Sequence, residues 1–293
     1  MQNILVRKSP VAGARDVFAI CDLPGFASLA DAVPSDSEQR RRGSTGNDRW
    51  SGSKSWDKST EQVRSGDLSG VAASDALLDK IEAQSIQTQV WRNRLDIVGG
   101  SPCVPAYLAG HPLNMRRRER VAAEQGPLTI FASLELSAGI DVSTMRKRGA
   151  AILAMVRLLS NMRPIELWAC ISVGEYTPKT AAHVLVKIDT APLDIARAAH
   201  VLTCPSVTRN LGYGICHELL SNHLNCRWRG NWAYGDVDAY RKTARDNFVS
   251  VVNPASEALL ITAAHSHDPM VKDPVAWLKD MLAKYGGMTE DDE

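Results

Sequence analysis

Pro127-Leu128-Thr129-Ile130-Phe131-Ala132-Ser133-Leu134-Glu135-Leu136 is an almost unbroken apolar run, the pattern of a strand covered on both faces. After it, Ser137-Ala138-Gly139 predicts a sharp turn, and Met145 to Asn161 a long helix. Pro164-Ile165-Glu166-Leu167-Trp168-Ala169-Cys170-Ile171 predicts a second strand, ending at Val173-Gly174. Strand, crossover helix and strand make one βαβ unit, whose strands run parallel. In the helix, Met145, Ile152, Leu153, Met155, Val156, Leu158, Leu159 and Met162 cover more than one face. A helix apolar over so wide an arc is expected to lie between a sheet and a neighbouring helix.

Toward the C-terminus, Ala182 to Asp189 reads as a further strand. Only a short turn around Pro178 separates it from its predecessor, so it is expected to run antiparallel and to form the sheet edge. Helices are expected over Pro192–Leu202, Leu211–Leu224 and Asp236–Asn247, and buried strands over Phe248–Val252 and Ala258–Ala264. Asp273 caps a closing helix with Pro274 in its first turn and Gly286 at its end. Residues 127–289 therefore read as an α/β domain: three-layer, doubly wound, with a mainly parallel sheet and one antiparallel edge strand. Glu290 to Glu293 is an acidic tail.

Toward the N-terminus the pattern weakens. Residues 1–48 read as a partly disordered arm, in which Val17–Cys21 is a short strand or a docking segment. Pro34 to Lys54, with Arg40-Arg41-Arg42, reads as a flexible loop whose arginines are either solvated or phosphate contacts. Residues 49–126 read as a helical layer: Ser55 is a candidate N-cap ahead of Trp56 and Val63, and Asp67 to Gln84 is amphipathic.

The chain has 293 residues, 44% hydrophobic and 23% charged, with a net charge of +1. That length buries a large core without disulfides, and no overall field draws it to nucleic acid or membrane. Six cysteines, none in a CxxC pair, fit a reducing compartment. The N-terminus has no apolar signal-like stretch, and no run approaches the ~18 residues that cross a bilayer. A cytoplasmic protein with no membrane partner is expected.

The succession of strand, helix, strand, edge strand, helices, strand and helix resembles a von Willebrand factor A-type domain. In that family the first strand ends in a metal-binding DxSxS turn, completed by a threonine and an aspartate from later loops. Here the matching stretch is Glu135-Leu136-Ser137-Ala138-Gly139: glutamate replaces the aspartate, Ser137 fits, and Gly139 replaces the second serine. The resemblance implies a degenerate metal site and no cofactor. A second likeness rests on Arg49-Trp50-Ser51-Gly52-Ser53-Lys54-Ser55-Trp56, Val104-Pro105-Ala106-Tyr107-Leu108-Ala109-Gly110, Arg148-Gly149-Ala150-Ala151-Ile152 and Ile165-Glu166-Leu167-Trp168. These blocks resemble an uncharacterised family of tailed-phage proteins. That likeness implies a bacterial host cytoplasm and no particular reaction.

Three clusters carry candidate chemistry. At the carboxyl end of the opening strand, Glu135, Ser137, Asp141 and Ser143 offer oxygen ligands, while Arg146, Lys147 and Arg148 place cations against the helix dipole. A structural turn, an anion or protein-partner site built on Glu135, Ser137, Asp141, Arg146 and Arg148, and a metal site are the three readings. In Cys216-His217-Glu218, His223 and Cys226 the histidines are six apart, not at the four-residue spacing of a zinc helix. His265-Ser266-His267-Asp268 is a polar loop that would serve a metal or a hydrolase only as a lesser alternative. Finally, Arg227, Trp228, Arg229, Trp232 and Tyr234 interleave cations with aromatics, as single-stranded nucleic-acid binders do. No GxSxG, P-loop or GxGxxG occurs, and nothing in the spacing pairs a serine with a histidine. A protein-binding function without catalysis is the leading expectation, and single-stranded nucleic-acid binding the alternative.

Overall fold

The computed structural model describes residues 4–8, 10, 16–45, 48–53, 55–82, 89–122, 126–135, 140–175, 181–224, 232–233, 248–254, 257–263 and 268–286. In chain order the elements are β1 (Ile4–Lys8), β2 (Val17–Asp22), α1 (Leu23–Ala32), α2 (Glu38–Thr45), α3 (Asp48–Ser51), α4 (Trp56–Ser65) and α5 (Val71–Glu82). Next come β3 (Gln89–Asp96), β4 (Ser101–Pro102), α6 (Val104–Leu108), β5 (Met115–Ala122), β6 (Leu128–Ser133), α7 (Val142–Ser160), β7 (Ile165–Glu175) and β8 (Ala181–Ile188). α8 (Ile195–Thr203) leads into wide-turned π-type segments at Val207–Gly212 and Ile215–Leu220, then α9 (Ser221–Leu224) and β9 (Trp232–Ala233). The chain closes with α10 (248–252), β10 (Glu257–Ile261), α11 (Pro269–Lys272) and α12 (Pro274–Tyr285).

The main sheet runs β1-β2-β8-β7-β6-β10, with β9 pairing β7, and a separate small sheet runs β3-β5-β4. β10, β6 and β7 are mutually parallel, and β8 is antiparallel to β7. The expected mixed α/β class with a mostly parallel sheet is what the chain forms. The expected position of β8 is corrected: it is interior, because β2 pairs with it in parallel from Val17↔Ala182 to Asp22↔Lys187. Val17, Phe18 and Ala19 are all buried, so this N-terminal strand is part of the core and not an appendage.

Successive strand residues point to opposite faces, and the two faces have different covers. Val17, Ala19, Ile130, Ala132, Leu167, Ala169, Val184 and Val186 pack into one large core with α1, α4, α7, α8 and α12. Phe18, Phe131, Trp168, Cys170 and Leu185 pack into a smaller core with Phe248 and Val251 of α10. Residues 248–252 are thus a helix where a strand was expected; a five-residue apolar run does not distinguish the two by period.

The long helix α7 starts where Asp141 caps it, accepting from the Thr144 amide at 2.8 Å. It lies so close to α8 that a Cβ on Gly149 would collide with the Leu202 carbonyl oxygen. Further corrections concern the N-terminal half. The expected loop at Pro34–Lys54 contains α2 and α3, and Arg40 of the arginine run bonds the Val33 carbonyl and Asp57, each at 2.9 Å. Residues 49–126 are helical only through Glu82; residues 89–122 form the small antiparallel sheet and α6. Arg92 and Arg94 in β3, and Arg118 and Arg120 in β5, recur at period two, a spacing that suits a strand better than a helix.

Buried guanidinium groups close the ends of the sheet. Arg163 donates to the carbonyls of Gly126 (2.7 Å), Pro127 (3.2 Å) and Tyr285 (3.1 Å) and pairs with Glu257. Arg209 donates to the carbonyls of Ile140 (2.7 Å) and Trp50 and lies over the Trp50 ring. Five donors in one planar fork allow a single side chain to satisfy several loop carbonyls that no strand neighbour reaches.

Candidate functional site

At the carboxyl edge of the three parallel strands, where open α/β sheets hold their ligands, the chain has placed its own cation. Arg148 projects from the second turn of α7 and is only 3% exposed. Its Nη1 donates to the Ser133 carbonyl at the end of β6 at 2.8 Å, and its Nη2 to the Thr262 carbonyl beyond β10. Nε lies 3.3 Å from Asp268 Oδ2, and the other oxygen of Asp268 caps α11 through the Met270 amide at 3.0 Å. Burial lowers the Arg148 pKa, and Asp268, followed by Glu135, offsets that effect.

Beside it, a polar row crosses the sheet on the face covered by α10. Ser172 and His183 are register partners on β7 and β8, and His183 is the partner of Phe18 on β2. Glu135 extends the row, because Ser133 pairs Cys170 and the Leu134 amide donates to the Cys170 carbonyl at 2.8 Å. His183 Nδ1 is 2.8 Å from Ser172 Oγ, and its Nε2 is 3.7 Å from Asp16 Oδ2. Asp16 Oδ1 is held by the Ala181 amide at 3.0 Å. The imidazole stacks on Phe18 at 4.5 Å, with Phe248 edge-on at 5.5 Å.

As a residue Glu135 keeps part of its surface, but its carboxyl is withdrawn from water. Burial pushes its pKa up; hydrogen bonds from Ser172 and the charges of His183 and Arg148 pull the other way. The Ser172 hydroxyl has one proton for two claimants, so the protonation of Glu135 and the tautomer of His183 are linked. The row is a continuous string of hydrogen-bonding groups that ends at Glu135 on the carboxyl side of β6. When ionised, the Glu135 carboxyl beside the Ser172 oxygen opposes negative charge developing there.

The candidate residues from the sequence do not converge on one site. Glu135 and Arg148 come together. Asp141 is an exposed N-cap, with its pKa lowered first by the Thr144 amide. Arg146 is also exposed and lines a separate polar cavity of about 390 Å³ with Lys58, Asp67, Ser55 and Ser69. The charge of Arg146 acts on Asp67, while Arg148 turns inward to Asp268. Cys216 is buried and donates to the Ala182 carbonyl, whereas His223 is exposed, so the two do not meet. Among the described residues no group of three or more His, Cys, Asp or Glu is placed to hold a metal ion, and no helix is long and apolar enough to cross a membrane. Ser137, Cys226, Arg227, Trp228, Arg229, Tyr234, His265 and His267 lie outside the described residues; Trp232 lies in β9, opposite Glu175.

Sequence reasoning missed Asp16, Ser172 and His183. The available signal was a polar residue at an inward position of two neighbouring apolar strands, which becomes a pair only once the register is known.

A family model described as a domain of unknown function, DUF7192, matches residues 15–287. The chain belongs to that family. The matched span takes in Asp16, the first residue of the polar row, and runs past the end of α12, so the row, the arginine site and every strand of the main sheet except β1 lie within it. No match was found among curated proteins or among solved structures.

Proposed function

We propose that the chain is a binding protein without catalysis of its own, a degenerate von Willebrand factor A-like domain that presents the carboxyl edge of its sheet to a protein partner. The phage resemblance puts its place of action in the cytoplasm of an infected bacterium. The order β8-β7-β6-β10, with one antiparallel member, supports the domain type.

The observation that carries the reading is Arg148. In the resembled family a metal ion sits between the turn after the first strand and an aspartate from a later loop. Here a buried guanidinium joins Ser133, Thr262 and Asp268. A fixed internal cation ties the strand ends together with no ion to exchange, so partner capture needs no divalent metal. Recognition then falls to the exposed charges of the first turns of α7, Asp141, Arg146 and Lys147.

The test immobilises the full chain and exposes it to host lysate, once in EDTA and once in Mg²⁺. The same partner is expected in both, and is expected to be lost with Arg146→Glu/Lys147→Glu. Capture that depends on Mg²⁺, or that survives the charge reversal, sinks the reading.

A further inference from the structure

The unit formed by β3, β4, α6 and β5 presents an open surface: of its residues 95–117, whose burial is described, none is buried. Its charge is also unlike that of the rest of the chain. Residues 89–122 contain Arg92, Arg94, Arg116, Arg117, Arg118 and Arg120 against Asp96 and Glu119, a net charge of +4 in a chain whose total is +1. No lysine is present in this segment. Arginine is the cation suited to phosphate, because its planar fork donates two parallel hydrogen bonds.

Register separates the unit into a basic ribbon and an uncharged tip. β3 and β5 pair from Gln89↔Ala122 to Asp96↔Met115, with Arg116 opposite Leu95 and Arg120 opposite Trp91. The connection at the far end, residues 97–114, has no Asp, Glu, Lys or Arg. It exposes Ile97 (69%), Val98 (72%), Tyr107 (66%) and Leu108 (78%).

This geometry discriminates between acidic partners. From Met115 to Arg120 is about 17 Å along the strand. A bilayer touched by the tip would leave Arg120 beyond the Debye length of about 8–10 Å. A linear polyanion lying along the ribbon follows arginine positions over the length of β5, from Arg116 to Arg120. A second copy of the arm would bring +4 against +4. In B-DNA the phosphate charge recurs about every 3.4 Å per strand, and the major groove, about 12 Å wide, admits a two-stranded β-ribbon.

We propose that this arm is a double-stranded DNA-binding ribbon. β3 and β5 occupy the major groove with their arginines on the flanking phosphates, and the apolar tip lies against base edges, where thymine methyl groups offer an apolar contact. This surface is separate from the carboxyl edge, so it stands or falls independently of the protein-partner reading.

The test is fluorescence anisotropy of the full chain with a labelled duplex of about 20 base pairs, two helical turns, across a salt series. Affinity is expected to fall steeply as salt rises. Arg116→Ala/Arg117→Ala is expected to weaken binding about tenfold at low salt and to flatten the log–log salt slope by about two. Lys279→Ala/Lys284→Ala, which removes two exposed cations from α12 instead, should change neither. Circular dichroism of the arginine variant confirms that it is folded. The proposal is overturned if the duplex does not bind at the lowest salt, or if the arginine variant binds like the parent. Single strand binding as tightly as duplex would overturn it as well, as would sedimentation with phosphatidylserine vesicles in place of DNA binding.

Discussion

Arginine plays opposite parts in two regions of this molecule. At the carboxyl edge of the main sheet, Arg148 is buried, and its guanidinium is engaged by two carbonyls and a carboxylate. In the small sheet, Arg116 and Arg117 are exposed, and no residue of the ribbon whose burial is described joins either core. A charge withdrawn from water is tolerable only when bonded on every side, which fixes its position and makes it part of the fold. An exposed charge carries no such debt and stays available to a partner. The difference teaches where to look for binding: the same residue type is architecture in one region and surface in the other.

The largest effect is expected where the comparison is sharpest. Arg148→Met leaves Asp268 as a buried charge without its partner and three acceptors without a donor. Urea denaturation should show a loss of about 3–5 kcal/mol. Adding Asp268→Asn to that variant should restore part of the loss, because the stranded charge is removed. Lysine at 148 should fall in between, since an ammonium does not reproduce the fork that spans Ser133, Thr262 and Asp268. Stability unchanged in Arg148→Met would mean that this arginine is ornamental and the contrast between regions false.

The body should also respond to acid in a way the arm does not. His200, on α8, is buried, and burial brings its pKa from 6.5 down to about 4, with Asp67 only partly opposing. Between those values the unfolded chain binds a proton that the folded chain refuses. The contribution is therefore complete above the unfolded value and is lost as pH falls toward the folded one. Its size is roughly 3 kcal/mol over that window. His217, held at about 3 by burial and then by Arg42, acts with the same sign. Stability measured near pH 7 and near pH 4.5 should drop less for His200→Leu than for the parent, by about that amount. Equal drops would remove His200 from the account.

Local pattern carried the central βαβ unit, because its strands are covered on both faces and its helix is apolar over a wide arc, each visible within one stretch of chain. Partner identity across the sheet was not local. That Val17–Asp22 lies beside β8 depends on residues some 165 positions apart, and a strand's neighbours leave no trace in its own sequence. The candidate site divides along the same line. Glu135 and Arg148 stood out because a cation in the first turns of a helix and an acid at a strand end are locally odd. Ser172 and His183 looked like minor blemishes in apolar strands until antiparallel register put them face to face. Residues 248–252 failed for a simpler reason: five apolar residues fit either period.

The smallest effect tests the other side of the comparison. Arg116→Ala/Arg117→Ala deletes two of the arm's six arginines, yet its effect on global stability should be within about 0.5 kcal/mol. The only ion pair that the described residues show for either is Arg117 with Asp96 at 3.5 Å, and the arginine is 61% exposed there. Solvent screens such a pair, and ordering two long side chains offsets most of its attraction. Amide exchange should further show the arm opening at lower free energy than β6 or α7, since none of its residues with described burial joins the buried cores. If the double variant instead lowered global stability by 2 kcal/mol or so, the ribbon would belong to the same cooperative unit as the sheet. Its arginines would then be structural in the sense that Arg148 is, and their charge would no longer be evidence for a partner.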